Sequence, residues 1–300
     1  MTRIGIDFGG TKIEAAVLGR DGAIEARLRR PNPGGYEAAV EAVRELVGAV
    51  EAEAGVSGAS IGLGIPGSIS PKTGMIRNAN STWLNGRPFK QDLERALGRP
   101  VRLENDANCF ALSEASDGAG AGAQVVFGAI LGTGCGGGVV VRGRTIEGAN
   151  GIAGEWGHTP LPWPRPEEYP GNQCWCGRGS CLETWISGTG FVEDYERATG
   201  RRMKGAEIVA AMHAGEAEAA AALDRYIDRL GRGLAVICDV IDPDVIVLGG
   251  GMSNVEELYA RVPEAVMRYV FSDVFETKIV KAMHGDSSGV RGAAWLWPLE

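Results

Sequence analysis

Apolar residues along this chain fall into short runs punctuated by glycine, separated by stretches with a helical period. Residues 3–7 read as a buried strand, Gly9-Gly10-Thr11 as a turn, 13–18 as a second strand and 24–28 as a third, followed by a loop at 31–35. Val40, Val43, Val47, Val50 and Ala54 then repeat at i, i+3 and i+4, which predicts an amphipathic helix over 37–54. Residues 61–65 form a strand stopped by Pro66-Gly67, and 68–87 an irregular loop carrying Asn78, Asn80 and Asn85. A short helix over 89–97, a strand over 101–104 and a helix over 107–115 complete this half, with Asn105-Asp106 between the last two.

The pattern then restarts. A strand at 125–131, a Gly132-Thr133-Gly134 turn and a strand at 138–141 repeat the opening arrangement, which reads as an internal duplication of a glycine-loop hairpin. The small-residue run 118–122 marks the boundary between halves. A proline-rich excursion at 160–170 precedes helices at 188–198 and 204–214. Leu223, Ile227, Leu230, Leu234 and Ile237 mark a long helix ended by Asp242-Pro243. A strand at 245–248 runs into Gly249-Gly250-Gly251, and a last helix begins near Ser287 and covers 290–296. Alternating strands and helices predict an α/β fold, and the paired hairpins predict two similar domains facing each other across a cleft.

Composition narrows the function classes. With 300 residues, 44% apolar and 23% charged, the chain is globular, and its net charge of −8 is spread without a basic face. That argues against nucleic acid and a membrane surface as partners. The uncharged stretch 118–141 is long enough to span a bilayer, but its nine glycines and Gly-Thr-Gly turn read better as strand, loop and strand. No secretory signal opens the sequence, so a cytoplasmic location is expected.

Three glycine turns point to nucleotide phosphates. In Asp7-Phe8-Gly9-Gly10-Thr11-Lys12 a tight turn between strands lets backbone N–H groups approach a phosphate, Thr11 can add a hydrogen bond, and Asp7 can hold the water shell of Mg²⁺. The run from Leu131 to Gly138, with Thr133, Gly134 and Gly136, matches G-x-G-x-x-G, but a strand follows where a dinucleotide site needs a helix; a second phosphate loop fits better. Gly249, Gly250 and Gly251 can lie against an adenosine. Asp106 at a strand end can accept the proton of an attacking hydroxyl, although the local sequence alone favours a helix N-cap over that role. His158, Cys174, Cys176 and Cys181, spaced H-x₁₅-C-x-C-G-x-G-x-C, suit a closed tetrahedral Zn²⁺ site of structural type. Glu155 and Glu183 flank it, where carboxylates can bond sugar hydroxyls or simply face solvent.

Together these motifs, spread over nearly the whole chain, resemble the ROK family of sugar kinases and repressors, of actin/hexokinase-like (ribonuclease H-like) fold. The segments 65–86 and 155–163 and the C-terminal HGDSSGVRGAAWLWP are closest to bacterial fructokinases that also accept mannose. The resemblance implies Asp106 as general base and Gly67, Asn80, Asn105, Glu155, His158 and Glu183 as sugar contacts, with His158 using one ring nitrogen for zinc and the other for substrate. It implies Mg-ATP bound by the two hairpin loops, structural zinc, closure of the cleft on sugar, and a homodimer. Domains of 1–117 plus 286–300, and of 118–285 carrying the knuckle and the dimer contacts, are expected. The expected reaction is phosphorylation of the 6-hydroxyl of D-fructose, with D-mannose second; N-acetylglucosamine or glucose is the alternative. Trp156 stands where glucose-specific relatives often have His, which argues against glucose. A sugar-sensing repressor is the reading from another class, but no helix-turn-helix precedes the strand at Arg3.

Overall fold

The computed structural model of the chain describes residues 2–298. Its elements are β1 (Arg3–Phe8), β2 (Lys12–Leu18), β3 (Ile24–Pro31), α1 (Tyr36–Ala54), β4 (Ser60–Ile65), β5 (Ser68–Ile69), β6 (Ile76–Arg77), α2 (Phe89–Leu97), β7 (Val101–Asn105) and α3 (Asp106–Asp117). There follow β8 (Val125–Leu131), β9 (Cys135–Val141), β10 (Arg144–Thr145), α4 (Glu183–Ile186), α5 (Gly188–Thr199), α6 (Gly205–His213), α7 (Ala217–Ile241), β11 (Val245–Gly249), α8 (Glu257–Met267), β12 (Lys278–Lys281) and α9 (Ser288–Trp295). One sheet has the order β3-β2-β1-β4-β7 and another β10-β9-β8-β11-β12. Renumbered from one, each reads 3-2-1-4-5, so the duplicated hairpin extends to a duplicated sheet. In both, the strands beyond the hairpin run parallel: β1 to β4 to β7, and β8 to β11 to β12.

The chain divides into two compact units: the described parts of Met1–Gly122, Gly138–Ala153 and His284–Glu300, and Ala123–Gly137 with Gly154–Met283. In the first, strand alternation sorts β1 between two faces. Ile4, Ile6 and Phe8 join the core beneath α1, which contributes Val43, Leu46, Val47 and Val50. Val40 and Ala54, expected on that face, pack only at its margin. Gly5 and Asp7 lie on the opposite face, against α9. A Cβ at Gly5 would fall 1.8 Å from the carbonyl oxygen of Val290, and one at Gly62 equally close to that of Ala293. Glycine at both positions lets the helix backbone rest directly on the strands, and the same approach brings Asp7 to the first turn of α9. Gly292 allows α9 the same intimacy with α3 at Cys109.

In the second unit α7 buries Leu223, Tyr226, Ile227, Leu230 and Leu234. Its Arg229 and Arg232 clamp Glu168 of the proline-rich excursion at 2.7 Å each, so that segment is anchored rather than free at the surface. Burial alone would raise the Glu168 carboxyl, but the Arg232 guanidinium, the Arg165 N–H and Arg229 together lower it to about 2. Glu168→Gln removes the charge shared by two buried guanidinium groups, which keep Asp194 and Asp228 as partners, and is expected to cost about 2–3 kcal/mol at pH 7. Because the folded pKa is depressed, that stabilisation is present above the ordinary carboxyl pKa and is lost as pH falls from there through about 2. Urea unfolding of both proteins between pH 7 and pH 3 reads it as a gap that narrows with acid.

The structure adds elements that the hydrophobic pattern left out. β5 and β6 form a small antiparallel ladder inside the segment expected to be an irregular loop. α8 carries Pro263 within a continuous helix, and β12, Lys-Ile-Val-Lys, is a short edge strand. β9 begins at Cys135, three residues earlier than expected, so Gly136 lies in the strand and not in the turn. The uncharged stretch 118–141 is β8, a turn and β9, and no helix among the described residues is long and apolar enough to cross a membrane.

Candidate active site

The first glycine turn is closed by Gly9 N–H donating to the Lys12 carbonyl at 2.9 Å and by Asn32 Nδ2 donating to the Gly9 carbonyl at 2.8 Å. Gly10 and Thr11 are exposed at its tip. Asp7 stands at the end of β1 beside Gly289, whose added Cβ would lie 3.1 Å from the carboxyl carbon. Burial, then the nearby Glu14, raises the Asp7 carboxyl above its ordinary range. A hydrated cation there would offset that cost.

Asn105 caps α3. Its side chain accepts from the Ala107 N–H at 2.9 Å and donates to the Gly67 carbonyl at 2.9 Å. The cap is therefore Asn105, which leaves Asp106 as the first helical residue, exposed and oriented by the Ala107 N–H at 2.8 Å from Oδ1. Gly67 has φ +79°, and a Cβ there would meet the Arg77 carbonyl at 2.4 Å and the Ala79 N–H group at 2.7 Å. Only glycine lets this turn touch the strand that carries the asparagine loop. Asn85 then staples that loop by accepting from Ala79 N–H at 2.9 Å and donating to the Ala79 carbonyl at 3.0 Å. Exposed Asn80 is thereby held next to Ser81, whose hydroxyl lies 3.5 Å from an added Cβ on Gly10. Gly67, Asn80, Asn105, Asp106 and the first glycine turn thus form one cluster in the first unit.

In the second unit the other two glycine turns meet. Gly250, at φ +79°, lies against Leu131 and Gly132, with an added Cβ only 2.6 Å from the Leu131 carbonyl carbon. The N-terminus of α5 braces the same turn: Gly188 N–H donates to the Gly132 carbonyl at 2.7 Å, and the Thr189 hydroxyl to that of Thr133 at 2.8 Å. Beside them opens a cavity of about 1090 Å³ lined by Thr133, Thr189, Val192, Lys204, Gly251 and Met252 among others. Glycine backbone at one edge, apolar walls and a helix N-terminus suit the phosphates and base of a nucleotide. The wall from α5 and the 202–207 segment, which includes Arg202, Lys204 and Glu207, has no motif in the sequence that marks it as part of a site.

The knuckle ligands converge. His158, Cys174, Cys176 and Cys181 place their donor atoms within 4.8 Å of one another. His158 Nδ1 is 3.7 Å from Cys174 Sγ, and the Cys176 and Cys181 sulfurs are 3.5 Å apart. Tetrahedral zinc bonds set ligand atoms about 3.5–3.8 Å apart, so the set fits such an ion. Burial raises the Cys174 and Cys181 thiols, whereas the Arg178 backbone N–H chiefly lowers Cys176. Gly177, at φ +87°, makes the turn between the paired cysteines and Arg178.

Glu155 is exposed at the start of the 3₁₀ turn Trp156–His158. Glu183 begins α4, directly after the knuckle. Its Oε2 accepts from Cys135 N–H at 2.9 Å and its Oε1 from the Trp175 indole N–H at 2.7 Å. Gly134 touches the same carboxylate: an added Cβ would meet Oε2 at 2.6 Å. Gly136 lies in β9, and its carbonyl accepts from the buried Trp156 indole at 2.9 Å.

Comparison with known proteins agrees with this geometry. The sequence profile of the ROK family matches residues 3–300. The N-acetyl-D-glucosamine kinase of Vibrio parahaemolyticus is 42% identical over 297 residues, covering 97% of this chain and 98% of its own. A ROK hexokinase from Thermus thermophilus superposes with a TM-score of 0.88 at 36% identity, covering 98% of this chain and 97% of its own. A ROK family glucokinase from Streptomyces griseus, in complex with glucose and AMPPNP, gives a TM-score of 0.78 at 28% identity with 99% of each chain covered. With a full-length profile match, a two-domain α/β fold shared with these kinases and extensive identity to them, the chain belongs to the ROK family, among its sugar kinases.

Proposed function

We propose that the chain transfers the γ-phosphoryl group of ATP to the 6-hydroxyl of N-acetyl-D-glucosamine. The observation that carries the substrate is its 42% identity, over nearly all of both chains, to kinases named for that sugar. This replaces D-fructose, the acceptor expected from the loop resemblance, with the alternative sugar. Kinase chemistry is supported by the Asp106 cluster in one unit and the glycine-edged cavity in the other.

In this reading Asp106 accepts the proton of the 6-hydroxyl as it attacks phosphorus. A loose phosphoryl transition state asks mainly for positioning and charge stabilisation, so an ionised carboxylate oriented by Ala107 N–H is sufficient. Gly67, Asn80, Asn105, Glu155, His158 and Glu183 are the sugar contacts of this reading. The turns at Gly9–Lys12 and Thr133–Gly134 bind phosphates, Gly249–Gly251 lies against the adenosine, and Asp7 faces the water shell of Mg²⁺. His158, Cys174, Cys176 and Cys181 would hold a zinc ion, which would supply rigidity and no chemistry, because four protein ligands would leave no open position. His158, whose Nδ1 lies 3.7 Å from Cys174 Sγ, would then have its tautomer fixed and its other ring nitrogen left for substrate.

The test is the position of the new phosphate. NMR of the product made from N-acetyl-D-glucosamine and Mg-ATP is expected to show phosphate on O6. Phosphate on O1 would contradict the assignment of the attacking hydroxyl.

A further inference from the structure

Trp175 sits between two knuckle cysteines and is 73% exposed, an unusual position for the largest side chain. Its indole is not idle. The N–H donates to Glu183 Oε1 at 2.7 Å, and the ring stands edge-on to His158 with centroids 5.1 Å apart. The indole has little freedom to leave. Both sequence neighbours are candidate metal ligands, and the backbone is tied by Cys174 N–H to the Arg178 carbonyl at 2.9 Å and by Gly177 N–H to the Cys174 carbonyl at 3.0 Å. Glu183 is held from the other side by Cys135 N–H, at the start of β9. Cys174 Sγ lies 3.9 Å from the same Oε1. An ionised carboxylate has about four lone-pair positions, so two N–H donors fix its orientation and still leave capacity for two hydroxyl donors.

We infer that Trp175 is a positioning residue for sugar recognition: through its indole N–H it sets the Glu183 carboxylate in the orientation that accepts hydrogen bonds from sugar hydroxyls. This rests on the reading of Glu183 as a sugar contact. The exposure of the ring argues for such a role. A side chain retained only for packing would be buried, whereas this one covers little and spends its one polar group on Glu183. Without the indole N–H, Oε1 loses its 2.7 Å donor and the carboxylate can turn about the Cys135 contact, so binding sugar must also order it.

Trp175→Phe keeps an aromatic ring and deletes the donor. Calorimetric titration with N-acetyl-D-glucosamine in the absence of nucleotide, together with steady-state kinetics, reads the effect. The sugar Kd and KM are expected to rise about fivefold to tenfold, as for loss of one hydrogen bond to a charged group. The loss should fall on sugar KM and not on kcat or the KM for ATP, with metal content and Tm as in wild type. In a Glu183→Gln background the same substitution should change sugar affinity little, because the two act through one contact. Unchanged sugar affinity in Trp175→Phe overturns the inference, as does an equal loss in the Glu183→Gln background. A variant that sheds its metal or unfolds would assign Trp175 a structural role instead. Wild-type titration tests the parent reading separately: sugar binding by wild type with no effect of Trp175→Phe refutes this inference alone.

Discussion

Asp106→Asn is expected to lower kcat by about three orders of magnitude, the middle of the range for loss of a positioned general base. The substitution preserves shape and retains an oxygen that can accept from Ala107 N–H, so α3 and its Asn105 cap should stay in place. What disappears is the carboxylate oxygen proposed to take the hydroxyl proton. Sugar and nucleotide affinities should therefore remain within about twofold of wild type, the signature of an interaction used only in the transition state. Single-turnover kinetics with calorimetric binding checks this. A helix N-cap role would behave differently: loss of a cap costs stability of about 1 kcal/mol and leaves turnover intact. That role already belongs to Asn105, which is why the two readings of Asp106 separate cleanly.

Cys181→Ser is expected to have the second large effect. Cys181 is buried, its sulfur lies 3.5 Å from that of Cys176, and it completes a four-ligand set. Wild-type protein should carry one zinc per chain by elemental analysis, and the variant close to none. If metal holds the knuckle at about a thousand times its dissociation constant, its loss removes about 4 kcal/mol and lowers Tm by roughly 10 °C. Activity should fall chiefly through sugar KM, because His158 is one of the four candidate ligands and Glu183 is bonded to Trp175 within the knuckle. Wild-type protein that contains no zinc, with a Tm indifferent to chelators, would remove the metal from the account.

Much of this was legible in the chain, for identifiable reasons. The strand Val125–Leu131 and the helix Phe89–Leu97 were read at their true limits, because apolar runs and turn residues bound them sharply. The knuckle was legible because its ligands lie in a local pattern. The duplication was visible in two glycine hairpins, and the sheets extend it. Other features depend on the fold and leave no local trace. The closeness of α9 to β1 and β4 hangs on Gly5 and Gly62, which look like ordinary small residues in a strand. α8 was hidden by Pro263, and β12 by lysines at both ends. The contact of Trp175 with Glu183 joins residues eight apart through a metal-site turn, and nothing in either segment announces it. The acceptor sugar was read from loop likeness, and there the weight of identity across the whole chain favours another substrate.

The most direct measurement is ADP production with Mg-ATP and N-acetylglucosamine, fructose, mannose, glucose or N-acetylmannosamine in parallel, compared as kcat/KM. The account predicts the highest value for N-acetylglucosamine, with fructose and glucose well below it. The highest value for fructose would contradict the proposed substrate and restore the loop-based expectation, and turnover of none would contradict the kinase mechanism built on Asp106.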